Sequence, residues 1–139
     1  MVQIISGEKG KGKTKYLLEK ANQAIKESNG SIVYLDKSSK HMYELNNKIR
    51  LINVNEYPIT SSEAFIGFIC GIISQDYDLE MMFFDSFLKL SCLEGEDITD
   101  TISTLEKLGE KYHVTFVLSV SRDKDKLPEN AQKDVIISL

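Results

Sequence analysis

Tryptophan is absent from the 139 residues, and proline, cysteine, histidine and arginine each occur only twice. Each scarcity excludes something. Two cysteines, Cys70 and Cys92, are too few for a disulfide framework. Cys70 lies in an apolar run, where a free thiol is expected to act as a small hydrophobe. Two prolines and eight glycines without a repeat exclude collagen-like and low-complexity chains. The longest apolar stretch, Ala64 to Ile73, is about half of the ~20 residues that span a membrane. The opening Met-Val-Gln-Ile-Ile carries neither a basic leader nor a cleavage signature, so a cytoplasmic protein without a membrane span is expected.

What is present fits one globular domain over residues 1–139: 42% hydrophobic and 27% charged residues in 15.8 kDa. A chain of this size buries roughly two-thirds of its unfolded surface without disulfides or structural metal. The net charge of -4 hides an asymmetry. Residues 1–50 hold ten Lys/Arg against five Asp/Glu, and residues 51–139 hold seven against sixteen. A basic amino-terminal half suits a polyanionic ligand. The acidic remainder argues against a broad nucleic-acid surface.

Short apolar runs alternate with helical periodicity along the chain. Val2 to Ser6, Ser31 to Asp36, Arg50 to Val54, Glu80 to Asp85, Val114 to Ser121 and Val135 to Leu139 read as strands. Helical spacing marks residues 13–28, 60–74 and 98–112, with Thr60, Ser61 and Ser62 as candidate N-caps for the second. Phe65, Phe68, Ile69, Ile72 and Ile73 form one core-facing stripe of that helix. Residues 37–48 are expected to form a short helix with Met42 and Leu45 on one side, and residues 122–134 a mobile charged loop. Continuous apolar strands alternating with helices are the pattern of an α/β fold, a mostly parallel sheet of about six strands covered on both faces.

Gly7-Glu8-Lys9-Gly10-Lys11-Gly12-Lys13-Thr14 fits the phosphate-binding P-loop pattern G-x-x-x-x-G-K-[ST] at every fixed position. The required context, a strand before and a helix after, is present. Glycines let backbone N–H groups approach a phosphate closely. A helix starting at Gly12-Lys13 adds its positive end, and Lys15 extends the basic stretch. Lys13 would supply a mobile cation, and the Thr14 hydroxyl a ligand for Mg²⁺. Asp85, closing the apolar run Met81-Met82-Phe83-Phe84, is the candidate acid that holds the same ion.

With these residues in place, the chain resembles P-loop (Walker A) NTPases of the RecA/DnaB-like kind over nearly its whole length. The P-loop is the specific motif; Leu51-Ile52-Asn53-Val54, Phe83-Phe84-Asp85-Ser86, Leu105 to Ser121 and Asp134-Val135-Ile136-Ile137 follow in the family's order. The resemblance implies a three-layer fold with the sheet ordered 6-1-5-4-2-3, ATP and Mg²⁺ as ligands, and Mg²⁺-dependent hydrolysis. It places Asp36 where the family has a water-activating glutamate, with Glu44 as an alternative. Fifth-strand Ser119-Val120-Ser121 stands where the family has a polar sensor, often glutamine. Asp36 is one methylene shorter than glutamate, so slow turnover is expected.

Other P-loop branches fit less well. Glu8 occupies the position of the extra lysine of ParA/MinD-like ATPases, and the guanine-reading Asn-Lys-x-Asp of GTPases is absent. Kinases with arginine-rich lids are disfavoured by a chain with only Arg50 and Arg122. Arg122, just beyond a strand end, is kept as a candidate catalytic cation. His41 and His113 are far apart in sequence, and no metal site other than Mg²⁺ is expected from them. Asp123 and Asp125 beside Lys124 and Lys126 read as a solvated loop. The leading expectation is an adenine-nucleotide-binding subunit or switch with weak ATPase activity, aided by a protein partner or self-assembly. A nucleotide-dependent binding module without useful hydrolysis and a small-molecule phosphotransferase stay open.

Overall fold

A computed structural model describes all residues from Met1 to Leu139. The strands are β1 (Val2–Ser6), β2 (Ser31–Asp36), β3 (Arg50–Asn53), β4 (Leu79–Phe84), β5 (Thr115–Val120) and β6 (Val135–Ser138). The helices are α1 (Lys13–Glu27), α2 (Ser62–Gln75), α3 (Phe87–Leu90), α4 (Thr99–Tyr112) and α5 (Glu129–Gln132). All six strands run parallel in one sheet, ordered β3-β2-β4-β5-β1-β6. Read from its other edge, this is the order 6-1-5-4-2-3.

Side chains of a strand point alternately to opposite faces, and here the alternation separates two cores. Ile5, Ile32, Tyr34, Phe83 and Val117 meet Leu17, Leu18 and Ala21 of α1 on one face. Ile4, Val33, Leu35, Met82, Phe84, Phe116 and Leu118 belong to a larger core with residues of α2, α3, α4 and α5 on the other. Phe84 is the centre of an aromatic cluster, its ring 5.8–6.0 Å from those of Phe65, Phe87 and Phe116. Ser61 caps α2 by accepting a hydrogen bond from the Ala64 N–H. Cys70, expected in the core, is instead exposed on α2, and both cysteines are free.

Two segments depart from expectation. Residues 37–49 form successive turns instead of a helix. Only Leu45 and Ile49 are buried there, Met42 is half exposed, and the serines and asparagines offer the backbone local alternatives to helical bonds. Asn22 of α1 holds the segment in place, donating to the Glu44 carbonyl and accepting from the Asn46 N–H, both at 2.8 Å. Residues 122–134 are more ordered than a mobile loop: a 3-10 turn (Lys124–Lys126) and α5 bring Leu127 and Ala131 into the core. No helix is long and apolar enough to cross a membrane.

Candidate functional site

The carboxyl ends of the central strands carry buried polar groups: Ser6 on β1, Asp36 on β2, Asp85 after β4 and Ser119 on β5. In an open parallel sheet this edge is where ligands bind. The chain leaves β1 through Gly7, whose N–H donates to the Arg122 carbonyl at 3.0 Å. Gly10 and Gly12 then adopt left-handed backbones, φ 88° and 86°, which side chains strain to reach. Gly12 is the N-cap of α1 and offers no side chain to the first-turn N–H groups, and no acidic residue stands in that turn. These donors, at the positive end of a fifteen-residue helix, are open to an anion.

Lys13 and Thr14 open this helix. Lys13 is buried, its Nζ donating to the Glu8 carbonyl across the loop at 3.1 Å. Burial pulls its ammonium below the usual lysine range, while Asp85 works in the opposite direction. Thr14 Oγ1 donates to Asp85 Oδ1 at 3.1 Å, and the Tyr34 hydroxyl donates to Asp85 Oδ2 at 3.0 Å. Asp85 is thus fixed from two sides. Burial and the Asp85 charge push the Tyr34 hydroxyl well above its ordinary range, so it remains a donor. A hydroxyl and a carboxylate in contact are an all-oxygen donor set, suited to a hard cation such as Mg²⁺.

Asp36 is 2% exposed. Its Oδ1 accepts from the Lys37 N–H at 2.7 Å, while Oδ2 has no partner. Burial, then the charge of Asp85, raises its carboxyl above the usual range. His41 joins them: Asp36, His41 and Asp85 offer ligand atoms all within 4.8 Å of one another. The fold thus sets two carboxylates beside His41, from which no site other than Mg²⁺ was expected. Four residues separate Asp36 from His41, and the turn after β2 brings them together.

A cavity of about 390 Å³ opens over the loop, and Leu88 is its only hydrophobic wall residue. Five cations line it, Lys9, Lys13, Lys37, Lys89 and Arg122, against the carboxylates of Asp85 and Glu94. Lys37 sits against Lys89, and this contact, with burial and the charges of Lys40 and Lys9, pulls its ammonium below the ordinary range. Cations crowded this way are relieved by an anion. A second cavity of about 410 Å³ shares Lys37, Lys89 and Glu94 with the first and continues past Asn55 and Tyr57.

Among the residues expected here, Lys9, Gly10, Gly12, Lys13, Thr14, Asp85 and Arg122 line the cavity. Gly7 packs instead against Leu139, where a Cβ would come within 3.0 Å of the Leu139 Cβ. Glu8 turns its carboxylate outward to Lys126 at 3.8 Å. Lys11 and Lys15 are exposed and outside the cavity wall. Arg122 is at the rim, but its Nη2 donates to the Leu93 and Glu96 carbonyls at 3.3 and 2.6 Å and so braces that loop. One of its guanidinium nitrogens is thereby committed to that loop. Glu44 faces His41, with 3.0 Å between Oε1 and Nδ1.

Sequence reasoning missed Tyr34, Lys37 and Lys89. Tyr34 carried a usable signal: it is two residues before Asp36 on β2, hence on the same face. Lys89 carried none, because α3 has four residues and no periodicity to detect. No protein-family model matches the sequence, and no curated protein matches it significantly.

Proposed function

We propose that the chain is a P-loop nucleotide-binding protein of the RecA/DnaB-like kind that binds ATP with Mg²⁺ and hydrolyses it slowly. One observation carries this reading. The uncapped, acid-free first turn of α1 opens through two left-handed glycines into a cavity lined by five cations. Such a site selects a phosphate chain on charge and on backbone geometry.

Lys13 would exchange the Glu8 carbonyl for the outer phosphates. Thr14 and Asp85 would hold Mg²⁺, which when bound neutralises charge on the phosphate oxygens. Asp36 is the base candidate from this chain. Its short side chain favours slow turnover, since a misplacement of about 1 Å can cost roughly 10² in rate. Lys37 and Lys89 reach the cavity from within the chain and would add positive charge beside that of Arg122, whose Nη2 is tied to its loop. A partner protein or a second copy would add what is still lacking. The preference for adenine rests on the missing guanine-reading motif and on the resemblance.

A second reading, phosphoryl transfer to a small acceptor, is favoured by the neighbouring cavity beyond Lys37 and Lys89. Radiolabelled ATP with and without Mg²⁺, scoring binding and phosphate release separately, tests the proposal. Binding should require Mg²⁺, and release should fall well below the ~10 s⁻¹ typical of enzymes. A rate per chain that rises with protein concentration identifies self-assembly. Absence of binding would overturn the proposal, and fast, concentration-independent release would overturn its slow-turnover half.

A further inference from the structure

We propose that Asp36, His41 and Asp85 form a binding site for a first-row transition divalent cation of the Mn²⁺ type, filled without nucleotide. It shares Asp85 with the proposed Mg²⁺ position but uses an imidazole nitrogen and a second carboxylate, and it does not use Thr14.

Three separate parts of the chain converge here: the end of β2, the turn that follows it, and the end of β4. Their ligand atoms lie within 4.8 Å of one another. Two buried carboxylates side by side are costly unless a cation lies between them. The protein supplies cations only at a distance: Lys13 acts on Asp85 by its charge while its Nζ donates to the Glu8 carbonyl, and Asp36 Oδ2 is buried with no hydrogen-bond partner. A buried carboxylate oxygen without a donor is a position prepared for something absent from the polypeptide.

His41 gives the site its selectivity. Its Nδ1 faces Glu44 Oε1 at 3.0 Å, leaving the other ring nitrogen to ligate. A carboxylate on the far nitrogen is the arrangement that fixes tautomer and orientation in metal-binding histidines. Glu44 is held in turn, because its backbone carbonyl accepts from Asn22 of α1. The turn at residues 37–49 therefore has a task that a helix would not perform: it folds His41 back over β2. One imidazole and two carboxylates suit Mn²⁺ through Zn²⁺ better than Mg²⁺ or Ca²⁺, which prefer oxygen alone.

The test uses the full chain without nucleotide. Mn²⁺ is titrated in, and the free ion is followed by electron paramagnetic resonance. One Mn²⁺ should bind per chain. His41→Ala should weaken it by at least ~10-fold and Glu44→Gln by ~10-fold, while Mg²⁺ binding should change little. Thr14→Val should leave Mn²⁺ binding intact. The two histidines provide an internal control in proton NMR. Mn²⁺ should broaden the His41 ring signals and spare His113, which caps α4 at the opposite edge of the sheet. Should Asp36→Asn fail to fold, the partly exposed His41 still decides the matter. Absence of Mn²⁺ binding, binding unaffected by His41→Ala, or equal broadening of both histidines would overturn the proposal. Lys13→Ala separates this site from the nucleotide reading: it should lose ATP and keep Mn²⁺.

Discussion

The two edges of the sheet treat charge in opposite ways. At the amino edge, Lys133 pairs with Glu106 at 2.8 Å and with Asp134 at 3.1 Å, so the charges close on one another. At the carboxyl edge, five cations line one cavity against two carboxylates, and Asp36 keeps an unpartnered buried oxygen. The first arrangement pairs its cation with two carboxylates, although Asp134 Oδ2, like Asp36 Oδ2, has no hydrogen-bond partner. The second gathers an excess of cations around one cavity, which on the proposed reading is a set of groups arranged for a ligand. Substitutions at the two edges should therefore separate stability from binding.

The largest effect on stability is expected at the amino edge. Gly30 precedes β2, and a Cβ there would overlap the Asp78 carbonyl oxygen and approach Glu80 Cγ to 2.9 Å. Gly30→Ala should cost about 3 kcal/mol through overpacking, measured by urea denaturation, with the ATP affinity of the folded protein unchanged. A loss of affinity matching the loss of stability would erase the contrast between the edges.

Asp85→Asn at the carboxyl edge should do the reverse. The amide retains an acceptor for one of the two hydroxyls but loses the charge that, on the proposed reading, would steady Mg²⁺. The enhancement of ATP binding by Mg²⁺ should fall roughly tenfold, about 1.4 kcal/mol, by titration with and without the metal. An unchanged Mg²⁺ effect would reduce Asp85 to a strand end held by Thr14 and Tyr34.

The smallest effect concerns pH. Burial, with the hydrogen-bonded Glu106 carboxyl beside it, raises the Asp134 carboxyl from 3.8 to about 6. Its folded pKa lies above its unfolded one, so the native state binds more protons between these values. Stability from this group is full below about pH 4 and is lost as pH rises through about 6. Glu106, lowered by the same contact and by Lys133, opposes part of this. Solvent screening holds the net to at most about 1 kcal/mol. Asp134→Asn should flatten thermal stability across that range, and a slope equal to wild type would show that Asp134 does not titrate there.

How much of this was legible in the sequence depended on the range of the determining contacts. The strands, α1, α2 and α4 were readable because continuous apolar runs and helical spacing are local patterns. The clustering of Lys13 and Thr14 with left-handed glycines was readable because the G-x-x-x-x-G-K-[ST] pattern spans only eight residues, and the place of Asp85 because it closes an apolar strand. His41 was not, because its neighbours depend on how residues 37–49 turn, and that turn is fixed by Asn22 from another element. Lys89 was hidden by the brevity of α3, and the tethering of Arg122 by a loop distant in sequence. The buried Leu127 and Ala131 were masked by the charged residues around them.

Titration of Mg-ATP into wild type and Lys13→Ala, with thermal unfolding of both, tests the central claim most directly. Lys13 donates only to the Glu8 carbonyl, so the two proteins should unfold at nearly the same temperature without ligand. Wild type should then gain stability with Mg-ATP by mass action, about 2.7 kcal/mol at a hundredfold excess over Kd, and Lys13→Ala should gain none. Equal thermal shifts in the two proteins would contradict the assignment of residues 7–14 as a phosphate-binding loop.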